Sequence, residues 1–123
     1  MKTGVPHTQE GAYACPVTFT ADVIGGKWKT LLIFHLMSGT RRFNELRRMI
    51  PEITQRMLTL QLRELESWGL VNRHVYQEVP PKVEYSLTEL GSTLIPLVSA
   101  MREWGSQYEE VLIKVKGQAA ANE

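Results

Sequence analysis

The chain has 123 residues, enough for one compact domain, and 43% of them are hydrophobic. It contains no run of about 20 apolar residues, which excludes a membrane-spanning helix, and no apolar stretch near its beginning that would act as a secretory signal. Cys15 is the only cysteine, which excludes an internal disulfide framework and a multi-cysteine metal site. We therefore expect a single-domain cytoplasmic protein.

The net charge is only +1, but the basic residues are concentrated in the centre of the chain. From Lys27 to Arg63 there are eight basic and two acidic side chains, a net charge of +6, whereas the other 86 residues have a net charge of −5. Such an asymmetry is typical of a protein that binds a polyanion. A solvated basic face without a partner is the alternative that charge alone leaves open.

The first part of the chain predicts an arm followed by two helices. Residues 1–14 are polar, contain Gly and Pro, and predict a loose arm. Pro16 suits the first turn of a helix that the Gly25-Gly26 pair would end. Apolar residues at helical spacing predict a second helix from about Lys27 to Met37.

The centre of the chain predicts two more helices. The third starts near Phe43 and stops at Pro51, which cannot continue a helix. The fourth follows Thr54, whose hydroxyl can accept a backbone N–H, and runs to about Trp68. Its buried side is predicted from leucines at helical spacing: Leu58, Leu62 and Leu65.

After Gly69 the pattern changes to that of β-strands. Leu70–Tyr76 and Lys82–Leu87 are rich in β-branched and aromatic residues and predict a two-stranded hairpin with the Pro80-Pro81 pair near its tip.

A last helix is predicted after the hairpin. Thr88 would cap it, Pro96 would kink it, and it would end near Lys116. Residues 117–123 predict a disordered tail.

The order helix, turn, helix, hairpin predicts a winged helix-turn-helix domain over residues 15–116, a mainly α fold with a small β-hairpin (α+β). In such a fold the second helix of the motif enters the DNA major groove, where Arg can pair with guanine and Gln with adenine. Base readout is predicted for one side of the fourth helix: Thr54, Gln55, Arg56, Thr59 and Arg63. Phosphate contacts are predicted for the surrounding residues: Lys29, Arg41, Arg42, Arg47, His74, Gln77 and Lys82.

The apolar residues of the last predicted helix indicate that the protein dimerises. Its apolar residues are more numerous than a domain of this length can cover, so a partner should bury them. The predicted contacts are Leu97, Met101, Trp104, Tyr108 and Leu112. A two-fold homodimer would bind double-stranded DNA at an inverted-repeat operator.

The sequence offers no machinery for catalysis. It lacks a Ser/His/Asp set, a Gly-rich phosphate loop and metal-spaced carboxylates. His7, His35 and His74 are too scattered to predict a metal site. We expect no enzyme activity, no metal and no cofactor.

Several ordered blocks resemble the HxlR family of regulators: Cys15-Pro16-Val17, Ile24 to Trp28, Arg42 to Leu46, Leu62 to Glu66, Gly69 to Val71, Val79 to Thr88, and Gly91. The resemblance covers residues 15 to about 104. It implies a MarR-like winged-helix homodimer that represses or activates transcription. It also implies recognition by the fourth helix, a wing at the hairpin, and dimerisation through the N- and C-terminal helices.

Cys15 is a candidate redox switch. Some members of the HxlR family sense oxidants through a cysteine just before the first helix, and Cys15 occupies that position. The alternative is an inert thiol that only packs. The identity of the effector, an oxidant or a small molecule, stays open.

An alternative to DNA binding is also open for the whole domain: a winged-helix module that binds proteins or ligands without reading DNA.

Overall fold

The computed structural model describes residues 14–122, which form six helices and three strands. In chain order these are α1 (Pro16–Ile24), α2 (Lys29–Leu36), β1 (Arg41–Arg42), α3 (Phe43–Met49), α4 (Gln55–Ser67), β2 (Val71–Tyr76), β3 (Lys82–Leu87), α5 (Glu89–Ser92) and α6 (Ile95–Ala121). The sheet is antiparallel with the order β1-β3-β2. The predicted winged helix-turn-helix is confirmed, with α3 and α4 as the motif and the β2–β3 hairpin as the wing. Most of the predicted arm, residues 1–13, lies outside the described residues.

The core lies between α2, α3, α4 and the sheet. Its buried side chains are Ile24, Leu32, Ile33, Leu36, Leu46, Ile50, Ile53, Leu58, Leu62, Leu65, Leu70, Val71, Tyr85 and Val98. The three leucines predicted for the inner side of α4 are among them. Helices α1 and α6 contribute one buried residue each, so the described part of the domain leaves most of their surface uncovered.

Helix α4 begins and ends as its sequence predicts. The Thr54 hydroxyl accepts a hydrogen bond from the backbone N–H of Met57 at 3.0 Å, which satisfies one of the unpaired donors of the first turn. The helix ends at Ser67, and Gly69 follows with a φ of 76°, a left-handed conformation that glycine adopts without strain. The direction of the chain into the wing is therefore fixed at Gly69.

Two predictions about the first half of the domain need correction. Helix α2 begins at Lys29 rather than Lys27. Arg41 and Arg42 form a strand, β1, that pairs with Tyr85 and Glu84 of β3. Two residues are too few to show the alternation of a strand, so only the fold reveals β1.

The last helix is not a single kinked helix. It is divided into α5 and α6, and the break is closed by short hydrogen-bonded turns from Thr93 to Leu90 and from Leu94 to Gly91, both 3.0 Å. Pro96 lies in the first turn of α6, where its missing N–H is not needed, so it starts a helix rather than bending one. Helix α6 continues to Ala121, into the segment predicted as a disordered tail, because the Ala-rich end is a strong helix former.

One joint connects α4, the wing and α5. The Thr88 hydroxyl donates to the carbonyl of Gly69 at 2.6 Å and accepts from the N–H of Gly91 at 2.8 Å. The Thr88 N–H also donates to the carbonyl of Leu70 at 3.0 Å. A Cβ built on Gly91 would overlap the Leu70 carbonyl, whose carbon lies 2.9 Å away. Only glycine permits this approach.

We predict that Gly91→Ala lowers the free energy of unfolding by about 2–3 kcal/mol, because the added methyl group must displace backbone rather than a flexible side chain. Chemical denaturation monitored by circular dichroism measures this change. Gly117→Ala is the matched control, since a Cβ there meets open space, and it should change stability by less than about 1 kcal/mol. Equal stability of the two variants would contradict the close packing at this joint.

Candidate nucleic-acid interface

The outer side of α4 is polar and open to solvent. Thr54, Gln55 and Arg56 are exposed at its start, and Arg63 is exposed two turns later. Thr59 is half-buried, and its hydroxyl donates to the carbonyl of Gln55 at 2.9 Å. The structure therefore brings the five residues predicted for base readout onto one helix, opposite its buried leucines.

The two arginines of this side are chemically available. In the described part of the chain, neither Arg56 nor Arg63 forms an ion pair or a hydrogen bond with another side chain. A shallow surface groove along α4 is lined by Gln55, Arg56, Thr59, Leu60 and Arg63. Leu60 was not singled out in the sequence, yet its side chain is 52% exposed between these polar neighbours.

A second groove lies between α4 and the wing. It is lined by Thr59, Leu62, Arg63, Glu66, Arg73 and Tyr85. Arg73 lies on β2, directly opposite Tyr85 of β3, and is exposed. Arg73 is not among the predicted site residues because it lies outside the basic central window of the sequence. Its position two residues after the buried Val71, on the same side of a strand, could have placed it next to α4.

The basic residues around α3 divide into two groups. Arg41 Nη2 donates to Ser38 Oγ at 2.8 Å, and its Nε donates to the His35 carbonyl at 3.4 Å, so this side chain fastens β1 to the end of α2. Burial, and then the charge of Arg41, lower the pKa of His35 below its ordinary value of 6.5. Arg42 and Arg47 are exposed, and within residues 14–122 neither guanidinium forms an ion pair. The backbone N–H of Arg42 donates to Glu45 at 2.7 Å and so caps α3.

Lys29, a predicted phosphate contact, lies close to an acidic side chain of α4. Its side chain is only 13% exposed, and its Nζ lies 3.8 Å from a carboxylate oxygen of Glu64. Because this pair connects α2 to α4, Lys29 helps to position α4. The basic window in the sequence could not distinguish such a paired lysine from a free one.

The outer side of the wing holds a compact polar cluster. Tyr76 donates its hydroxyl to Glu84 at 2.8 Å, and this hydrogen bond is the main cause that raises the pKa of Tyr76. The Lys82 ammonium lies 4.2 Å from the Tyr76 ring centroid and 3.9 Å from a Glu84 oxygen, and the His74 ring packs edge-on against Tyr76. The charge of Lys82 is thus partly neutralised by Glu84. Gln77, near the tip of the wing, is exposed.

Helix α6 carries a long apolar surface. Val98 is its only buried residue among those described. The five residues predicted for dimerisation are 40–57% exposed, and we call them the α6 surface: Leu97, Met101, Trp104, Tyr108 and Leu112. The Trp104 and Tyr108 rings lie 5.4 Å apart, side by side on it.

Cys15 is exposed at the start of α1. It occupies the N-cap position, where its carbonyl accepts a hydrogen bond from the N–H of Phe19 at 3.1 Å but its side chain makes no capping hydrogen bond. The thiol is therefore accessible to reagents in solution.

Residues 14–122 contain no helix that is both long and apolar enough to cross a bilayer. Over the same range, no three His, Cys, Asp or Glu residues lie close enough together to hold a metal ion.

The chain is similar to known regulators over most of its length. It is 51% identical over 122 residues to the HTH-type transcriptional regulator YdeP of Bacillus subtilis, which covers 99% of this chain and 95% of YdeP. It is 65% identical over 98 residues to YybR of the same organism, covering 80% and 78% of the two chains.

Solved structures give the same result. The redox regulator HypR in its reduced form is 63% identical and superimposes with a TM-score of 0.79, over 81% of this chain and 99% of HypR. The oxidised form of HypR is 67% identical, with a TM-score of 0.73 over 76% and 96% of the chains.

The model of the HxlR-like helix-turn-helix family matches residues 23–112, a range that contains α2 to α5, the wing and most of α6. Together with relatives more than half identical in sequence, this match shows that the chain belongs to the HxlR-like helix-turn-helix family and is a DNA-binding transcriptional regulator.

Proposed function

We propose that the protein reads a specific duplex by placing α4 in the major groove. The observation that carries this proposal is the capped start of α4, where Gln55 and Arg56 are exposed and Arg56 has no ion-pair partner among residues 14–122. Arg56 would pair with guanine and Gln55 with adenine. Thr54, Thr59 and Arg63 lie along the same side and complete the reading surface.

Phosphate contacts on both sides of α4 would fix its register. Arg42 and Arg47 are exposed before α4, and Arg73 is exposed after it beside Arg63. His74 and Gln77 extend this basic and polar border along the wing. The phosphate contacts of Lys29, Arg41 and Lys82 stay predictions, and these three side chains also form contacts within the protein.

We predict that Arg56→Ala weakens binding to the operator by about 1–3 kcal/mol and reduces discrimination between sequences, because a base contact is lost. Arg42→Ala should weaken specific and random duplexes alike and lower the slope of log affinity against log salt by about one. Fluorescence anisotropy at several salt concentrations measures both. Equal losses on specific and random duplexes for Arg56→Ala would exclude base readout.

The α6 surface supports a homodimer. Its five residues form one stripe on a helix that residues 14–122 leave mostly uncovered, and a second copy of the stripe would bury them. The exposed apolar residues of α1, Val17 and Phe19, would extend the contact. Two recognition helices related by a two-fold axis would bind an inverted repeat.

We predict that wild-type protein sediments as a dimer at micromolar concentration and that Trp104→Asp shifts it to monomer, because an unpaired carboxylate is costly inside an apolar contact. Ser106→Asp is the matched control, since Ser106 lies on the opposite side of α6 and should keep the dimer. Sedimentation velocity separates the two states. A stable wild-type monomer would refute the dimer.

Oxidation of Cys15 is the proposed signal. The solved relative HypR is described as a redox regulator in oxidised and reduced forms. Because the protein has one cysteine, a disulfide must join Cys15 of two subunits or Cys15 and a small thiol. Formation of the bond removes two protons and two electrons, which a two-electron oxidant accepts.

We predict that a mild disulfide-forming oxidant changes the operator affinity of the wild type but not that of Cys15→Ser. Anisotropy titrations with and without oxidant measure this difference, and non-reducing electrophoresis shows whether the bond links two chains. If both proteins respond equally, or neither does, Cys15 is not the sensor.

A further inference from the structure

Leu60 is an apolar side chain in an otherwise polar reading surface. It is 52% exposed and is the only large exposed hydrophobic residue of α4. It does not belong to the core or to the partly buried residues that pack against the core. The described part of the domain therefore leaves about half of this side chain uncovered.

The charges of the residues around Leu60 indicate the kind of partner that Leu60 contacts. Arg56 lies one turn before it and Arg63 one turn after it, and in the described part of the chain neither has an ion-pair partner. Two uncompensated cations would disfavour an apolar protein partner at this position and favour a polyanion. The occupant should therefore be an anionic surface that also offers a small apolar group.

The major groove offers one such group. Each base pair there displays hydrogen-bond donors and acceptors, and thymine adds a 5-methyl group. We propose that Leu60 is a specificity-determining residue that packs against the 5-methyl group of a thymine in each operator half-site. This inference rests on the proposed placement of α4 in the major groove.

The helix geometry gives the thymine a position. Leu60 follows Arg56 by four residues, a rise of about 6 Å along α4. Consecutive base pairs are about 3.4 Å apart, so the thymine should lie roughly two base pairs from the base that Arg56 reads. The leucine would thus extend the half-site beyond the bases read by the first turn.

The test uses an operator selected from random duplexes by the purified wild-type protein. Each thymine of the half-sites is replaced by deoxyuridine, one position at a time, which removes the methyl group and preserves base pairing. At one thymine per half-site the wild-type affinity should fall about fourfold, the value of one buried methyl group. At other thymines it should change little.

A double-mutant cycle assigns that methyl group to Leu60. Leu60→Ala should bind the thymine operator about as weakly as the wild type binds the uracil operator, and the same uracil substitution should no longer affect it. Alanine is the strongest helix former, so this variant should fold normally. Leu90→Ala, which truncates a similarly exposed leucine on α5, should keep the wild-type response to uracil.

Two results overturn the proposal. One is a uracil effect that Leu60→Ala retains in full. The other is a Leu60→Ala loss that is equal on every duplex, because a contact with the sugar-phosphate backbone would act in that way. If selection enriches no sequence at all, the proposed function fails instead, so the two failures are distinguishable.

Discussion

The burial of three leucines on α4 is the constraint on which the rest of the molecule depends. Leu58, Leu62 and Leu65 are at most 1% exposed and pack into the core, which fixes the rotation of α4 about its axis. The opposite side must then face solvent. The Lys29–Glu64 pair and the Gly69 turn both hold the C-terminal end of the helix in this orientation. The buried apolar side thus determines which polar side chains of α4 are available on the surface.

The basic side chains of this protein fall into two groups that have the same charge: some are paired within the protein and others are exposed. Lys29, Arg41 and Lys82 are held by Glu64, Ser38 and Glu84 respectively, and they brace α4, β1 and the wing. Arg42, Arg47, Arg56 and Arg63 are exposed and have no ion-pair partner within residues 14–122. Removing a bracing cation would reduce binding by misplacing an element, whereas removing an exposed one would delete a contact.

Elements with a strong local signal could be predicted from the sequence. The Thr54 cap, the leucine spacing of α4 and the β-branched strands of the wing each define their own structure. Strand β1 depends on its pairing with β3, and the close approach of Gly91 to Leu70 joins α5 to the start of the wing; both partners lie far away in the chain. The pairing of Lys29 with Glu64 and the position of Arg73 beside α4 likewise depend on tertiary contacts. The polar side of the site was therefore predictable, but the state of each cation was not.

Helix α6 is long and is buried only near its beginning in the described part of the chain. It has 27 residues, a length of about 40 Å, and its only buried anchor among the described residues, Val98, lies near its beginning. In a dimer joined through this helix, a tilt of about 10° acting over about 30 Å would displace the reading domain by roughly 5 Å. That distance exceeds the spacing of about 3.4 Å between base pairs. A small change where the two chains meet is thus enough to put one reading helix out of register with its half-site.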